Sequence, residues 1–341
     1  MSVRLSILDQ TLLNPGEDPA AAFRQTIELA RLAESWGYYR FWVSEHHDSN
    51  LVAGSSPEVL ISHLLALTST IRVGSGGVML QHYSPYKVAE NFNVLASLAP
   101  GRVDLGIGRT PGGLPHSIQA LQKGAVESRP LPDKIEELRA YIQDRPLTKH
   151  AIAGLKASPI PRQPASLYLL GASSLSAESA ASLGLPYVFA QFINNDEEEA
   201  AKAFEAYRAR FVADSYSPTV SKPEALLAVP VITADSDEEA QSLADDYRIV
   251  RIHLEGGRII TVGSVEHAEE YGRQAEEKYR IEVRPAYVIH GGKELVRKQL
   301  LEVRDRYGVD EFIVIATIRD AKKRFRSYEL LMEAFSEVPA V

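Results

Sequence analysis

Three short stretches carry side chains suited to chemistry. The first is Glu45-His46-His47, which closes a predicted strand over Phe41 to Ser44. An imidazole titrates near neutral pH and can take or give a proton, and an adjacent carboxylate can orient or charge it. The same residues also suit a plain surface loop. A metal site is not expected, because neighbouring histidines on an extended chain point apart and no third ligand is spaced nearby. The chain has no cysteine, which removes thiolate ligands, disulfides and a cysteine nucleophile.

The second stretch runs from Leu98 to Gly113. Pro100 and Gly101 stop a helical pattern, then Val103, Leu105 and Ile107 alternate with Asp104, Gly106 and Gly108 as in a strand, and Arg109 follows. A strand that sheds its side chains and then delivers an arginine suits a flat ligand with an anionic tail. A glycine bulge followed by a surface arginine fits the same residues. Gly74, Gly76 and Gly77, ahead of Val78, repeat the pattern one predicted strand earlier. Two neighbouring strands bare at the same end would form a floor for a fused ring, unless they are unrelated turns.

The third stretch is Leu170 to Ser174. Amide groups at a helix start attract anions, and the Ser173 and Ser174 hydroxyls can cap the helix, bind a phosphate, or both. Arg109 and Ser173 would then share the phosphate of a mononucleotide such as FMN. His47, His82, Tyr83, Gln191 and Phe192 flank strand ends and are weaker candidates for a pocket wall.

The elements that must position these residues alternate at short intervals. Strands are predicted at Leu5 to Leu8, Phe41 to Ser44, from Ile71, at Val103 to Ile107, Ser166 to Leu170, Tyr187 to Ala190, Leu226 to Thr233 and Glu311 to Ala316. Helical patterns fill the intervals, among them Pro19 to Trp36, Pro85 to Leu98, Asp196 to Ala213, Glu294 to Tyr307 and Ser327 to Phe335. Eight such units fit a (β/α)8 TIM barrel forming one domain over 1–341. From about residue 251 to 292 the pattern breaks down, and an insertion or lid is expected there, before the eighth strand. An open doubly wound sheet is the alternative, but no glycine-rich dinucleotide loop follows the first strand and no Walker sequence occurs.

A net charge of -8 gives no general attraction to nucleic acid or an anionic membrane. With no signal-peptide core and no long apolar run, a soluble cytoplasmic protein is expected.

With these residues in view, the chain resembles the bacterial luciferase-like flavin monooxygenases, and is nearest to their uncharacterised oxidoreductase subgroup. The likeness runs through Ser44 to His47, Val73 to Leu80, Gly101 to Pro111, Leu169 to Ala190 and Arg326 to Phe335. It implies a homodimeric barrel that binds reduced FMN from a separate flavin reductase and uses oxygen to oxidise a small organic substrate. It places His46 on the family's active-site histidine, Glu45 on its acidic neighbour, and Gly76-Gly77 on a non-prolyl cis peptide under the flavin ring. Arg109 and Ser173, with Ser174 adjacent, fall on the phosphate contacts. Two departures stand out. Gly108 replaces the reactive cysteine of the light-emitting subunits, and His82-Tyr83 and Gln191-Phe192 differ from the subgroup's usual strings, so the substrate side of the cavity is expected to differ. A deazaflavin-dependent dehydrogenase on the same barrel and a non-catalytic flavin-binding protein are the alternatives.

Overall fold

The computed structural model describes residues 3–108, 112–123, 129–145, 154–213 and 221–336. Seven parallel strands come first: β1 (Arg4–Asp9), β2 (Arg40–Val43), β3 (Arg72–Val78), β4 (Val103–Ile107), β5 (Ser166–Gly171), β6 (Tyr187–Ala190) and β7 (Ala225–Thr233). Then come β8 (Arg248–Leu254), β9 (Ile259–Val262), β10 (Tyr279–Pro285), β11 (Ile289–Gly291) and β12 (Glu311–Ile315). Strands β1 to β7 pair in sequence, and β12 bridges β7 and β1, closing an eight-stranded (β/α)8 barrel. Parallel strands need crossover connections, and the helices supply them on the outside.

The period of two along each strand separates two apolar compartments. Leu8, Trp42, Tyr168, Leu170, Val188, Ala228, Ile313 and Ile315 fill the lumen. Their neighbours, such as Ile7, Phe41, Val43 and Phe189, face the helices in the larger outer core.

At the N-terminal end of the lumen, where β2, β4 and β12 begin, the layer is ionic. The Arg40 guanidinium donates to both Glu311 oxygens at 2.6 and 3.1 Å and to Asp104 Oδ2 at 2.9 Å. Trp42 Nε1 and Arg72 also donate to Asp104, and the Ser6 hydroxyl donates to Glu311. Every charge there has a partner, as burial requires.

The segment expected to be irregular is ordered. Strand β8 pairs antiparallel with β9 and β10, the helix Val265–Ala275 lies on them, and β11 extends the sheet beside β7. This insertion has its own small core of Val250, Ile252, Leu254, Ala268 and Tyr271. Leu114, from the connection after β4, completes that core, and the His116 amide donates to Gln274. The insertion is thereby packed onto the C-terminal mouth of the barrel. Two further differences are smaller: the final helix starts earlier, at Ala321, and two helices, Pro115–Leu121 and Leu131–Ile142, lie between β4 and β5.

Candidate active site

All eight barrel strands run the same way, so their C-terminal ends share one mouth. Glu45, His46 and His47 leave β2 there. The chain turns because the His46 amide donates to Gly54 O and the His47 amide to Gly112 O, tying the connections after β2 and β4 together. Glu45 is 2% exposed. Its Oε2 accepts from the Met79 amide at 3.0 Å, and its Oε1 accepts from the Tyr83 hydroxyl at 2.7 Å and from His47 Nε2 at 2.8 Å. A carboxylate only accepts, so His47 carries a proton on Nε2. Burial and the facing Glu45 raise the Tyr83 phenol, which stays a neutral donor. Glu45 is therefore fully engaged, and it acts as an anchor that joins the ends of β2 and β3.

His46 has a different setting. Its Nδ1 lies 3.1 Å from the Ser44 hydroxyl. Burial lowers the imidazole to about 4; Glu45 pulls it upwards, while His47 and His267 of the insertion push it down. The ring is neutral at physiological pH and keeps part of its surface at the mouth. His82 is buried, with Nδ1 at 3.2 Å from Gln122 Nε2 and its ring edge-on to those of His47 and Tyr83.

The two glycine runs are adjacent. The β3–β4 register slips between Ser75 and Val78, the Gly76-Gly77 peptide is cis, and the Gly108 amide donates to Val78 O at 2.9 Å. A Cβ on Gly77 would lie 2.7 Å from Gly108 N, and one on Gly76 would lie 2.7 Å from Leu8 in the lumen. At Gly108 the nearest atoms are backbone, none closer than 3.4 Å, so a methyl group would fit there. The β3 and β4 ends thus form a bare ledge of main chain, with Val78 buried beside it. The space left over Gly108 suits a planar ring lying against the backbone.

Ser173 caps the helix Ser174–Ser182 in a reciprocal box with Ser176. Ser174 gives both its amide and its hydroxyl to Glu199 Oε1, at 2.6 and 2.9 Å. Both serines have local roles, and Ser174 has no donor left over. Arg109 lies outside the described residues. Phe192 packs against the lumen cluster, whereas Gln191 is buried with its amide oxygen unpaired among the described residues.

Ser44, Met79, Gln122 and His267 also belong to the site, and nothing in the sequence singles them out. Met79, Gln122 and His267 meet their partners across segments tens to hundreds of residues apart, and Ser44, two residues from His46, has no motif that marks its contact. Asp9, at the end of β1, is likewise unmarked. It is buried and accepts from the Thr11 amide and the Thr26 hydroxyl.

Among the described residues no group of three or more His, Cys, Asp or Glu side chains can hold a metal, and no helix is long and apolar enough to cross a membrane.

A closed barrel with a histidine-lined mouth beside a glycine ledge places the chain among the barrel oxidoreductases. The chain belongs to the luciferase-like monooxygenase family, whose model matches residues 3–331, and it is an enzyme of that class. It is 43% identical over 334 residues to the N-acetyl-S-alkylcysteine monooxygenase of Bacillus subtilis, covering 97% of this chain and 98% of that one. The crystal structure of apo-MsnO8 superposes with a TM-score of 0.79 at 38% identity over 99% of both chains. An F420-dependent secondary alcohol dehydrogenase, solved with an F420-acetone adduct, shares the fold with a TM-score of 0.69 at 16% identity, covering 99% of this chain and 100% of that one.

Proposed function

We infer that the protein is an FMN-dependent, two-component monooxygenase acting on a thioether of the N-acetyl-S-alkylcysteine type. The observation that carries the cofactor reading is the glycine ledge, where Gly108 leaves room over the backbone at the same mouth as the neutral His46. The substrate class is carried over from the Bacillus subtilis relative. Monooxygenation needs a flavin that reacts with oxygen, which favours FMN over the deazaflavin of the alcohol dehydrogenase.

When bound, reduced flavin supplies two electrons and the reaction with oxygen; one oxygen atom enters the organic product and the other leaves as water. The chain's own residues do the rest. Gly76, Gly77 and Gly108 receive the ring, and Ser173 and Arg109 hold the phosphate. Ser44 orients His46 through Nδ1, leaving Nε2 to hold or move a proton at the mouth. Glu45 fixes this loop against Met79 and Tyr83. The apolar lumen below and the insertion above exclude water.

A separate reductase supplies the reduced flavin in this reading, and the protein works as a homodimer. Val59, Val94 and Leu98, 67, 44 and 69% exposed on the neighbouring helices Pro57–Leu67 and Pro85–Leu98, support self-association.

The test combines binding with isotope transfer. With reduced FMN, 18O2 and N-acetyl-S-benzylcysteine, 18O should appear in an organic product. The variant Gly108→Val should keep the wild-type melting temperature yet weaken FMN binding by at least about tenfold, because its side chain occupies the ledge. Tight FMN binding without labelled product would favour the non-catalytic flavin protein, and oxygen-independent reduction of a deazaflavin by an alcohol would favour the dehydrogenase. Unchanged FMN affinity in Gly108→Val would remove the ledge as the ring site.

A further inference from the structure

Four imidazoles gather at the barrel mouth, and three are engaged. His46 is paired with Ser44, His47 with Glu45 and Tyr83, and His82 with Gln122. The fourth, His267, belongs to the insertion. It sits in the first turn of the helix Val265–Ala275, held by the Ser264 hydroxyl on its amide. Its half-buried ring lies within electrostatic reach of His46 and Asp48, with Glu270 one turn further along its own helix. Among the described residues that ring makes no hydrogen bond.

The placement of the ring is firm because the insertion is docked at several points around it. Leu114 enters the insertion core, the His116 amide meets Gln274, and Gly263 packs so near Leu51 that a Cβ would lie 3.1 Å from that side chain. The mouth is therefore graded, with half-buried Phe192 capping the apolar lumen below and the unpaired imidazole at the roof. An amphipathic ligand would bind with its greasy end down and its polar end at His267.

We propose that His267 is a specificity-determining residue of this enzyme, contributed by the insertion, which donates a hydrogen bond to the carboxylate of an N-acylated S-substituted cysteine. This rests on the thioether reading above. An imidazole N–H to a carboxylate is a charge-assisted bond, and its loss should fall on substrate affinity while leaving the proton chemistry at His46 in place.

The test compares three sulfides, N-acetyl-S-benzylcysteine, its methyl ester and benzyl methyl sulfide, in the full-length protein with reduced FMN and oxygen. Wild type should prefer the free acid to the ester. His267→Ala should raise KM for the acid by about tenfold, leave kcat within about twofold, and leave both neutral sulfides unaffected. His267→Gln, which keeps an N–H donor, should recover part of the loss, and equal melting temperatures would establish that the insertion remains folded. A His267→Ala variant that retains the preference for the acid, or that shifts acid and ester alike, would overturn the assignment while leaving the thioether reading intact. Wild type that does not prefer the acid would overturn it too. Wild type that converts none of the three would instead sink the substrate reading, and this inference with it.

Discussion

His46 is pulled two ways, with burial, His47 and His267 against its charged form and Glu45 in favour. The balance sets a pH profile. A base lowered to about 4 is already deprotonated at pH 5, so the acid limb of kcat/KM should fall near pH 4, well below the ordinary imidazole value. His46→Asn should lower kcat and remove that limb. Linkage runs the same way: the unfolded chain binds the proton at higher pH than the native one, so this residue's contribution to stability is complete above the ordinary imidazole value and disappears as pH falls towards 4. Initial rates between pH 4 and 8 for wild type and variant decide it, and a wild-type limb near 6.5 would mean that another group governs the rate.

Whole elements are pinned by single side chains far from the site. Glu34, near the end of the helix Pro19–Trp36, accepts from the amides of Ser69, Thr70 and Ile71 and from the Thr70 hydroxyl at the entry to β3. Burial tends to raise its pKa, but these donors outweigh it and bring the carboxyl to about 2. A lowered carboxyl stabilises the fold above its unfolded pKa and loses that contribution as pH falls towards 2. With solvent screening allowed for, Glu34→Gln should cost about 1 kcal/mol in urea denaturation at pH 7, and the difference should shrink below pH 4. This scale also separates what could be read from the chain from what could not. The eight barrel strands were legible because glycine, proline or a helix cap punctuates each of them. The glycine ends of β3 and β4 were legible as well, since bare strand ends are a local feature. The place of the insertion was legible, but its inner strands were not, because they alternate: Arg251 and His253 sit between buried Val250, Ile252 and Leu254 and read as mixed charge. The Glu45 anchor depended on Met79 and Tyr83, and the Ser174–Glu199 bond depended on two helices meeting, so neither had a local signature.

The whole barrel divides its labour along its axis, with chemistry at the C-terminal mouth and an ionic layer at the opposite end. Arg40 is the keystone of that layer. It bridges Glu311 of β12 and Asp104 of β4 across the lumen, and its guanidinium lies 4.8 Å from the Tyr168 ring centroid. Replacing it with methionine would roughly keep its bulk but leave two buried carboxylates short of their partner, so Arg40→Met should destabilise by about 3–5 kcal/mol. Adding Glu311→Gln and Asp104→Asn removes the stranded charges and should restore a substantial part of that loss, a coupling that a denaturation cycle would read directly. FMN affinity of the single variant, measured well below its unfolding midpoint, should match wild type, because Leu8, Trp42 and Leu170 lie between the ionic layer and the ledge. A large fall in affinity in a folded Arg40→Met protein would show that the two ends of the barrel are mechanically coupled.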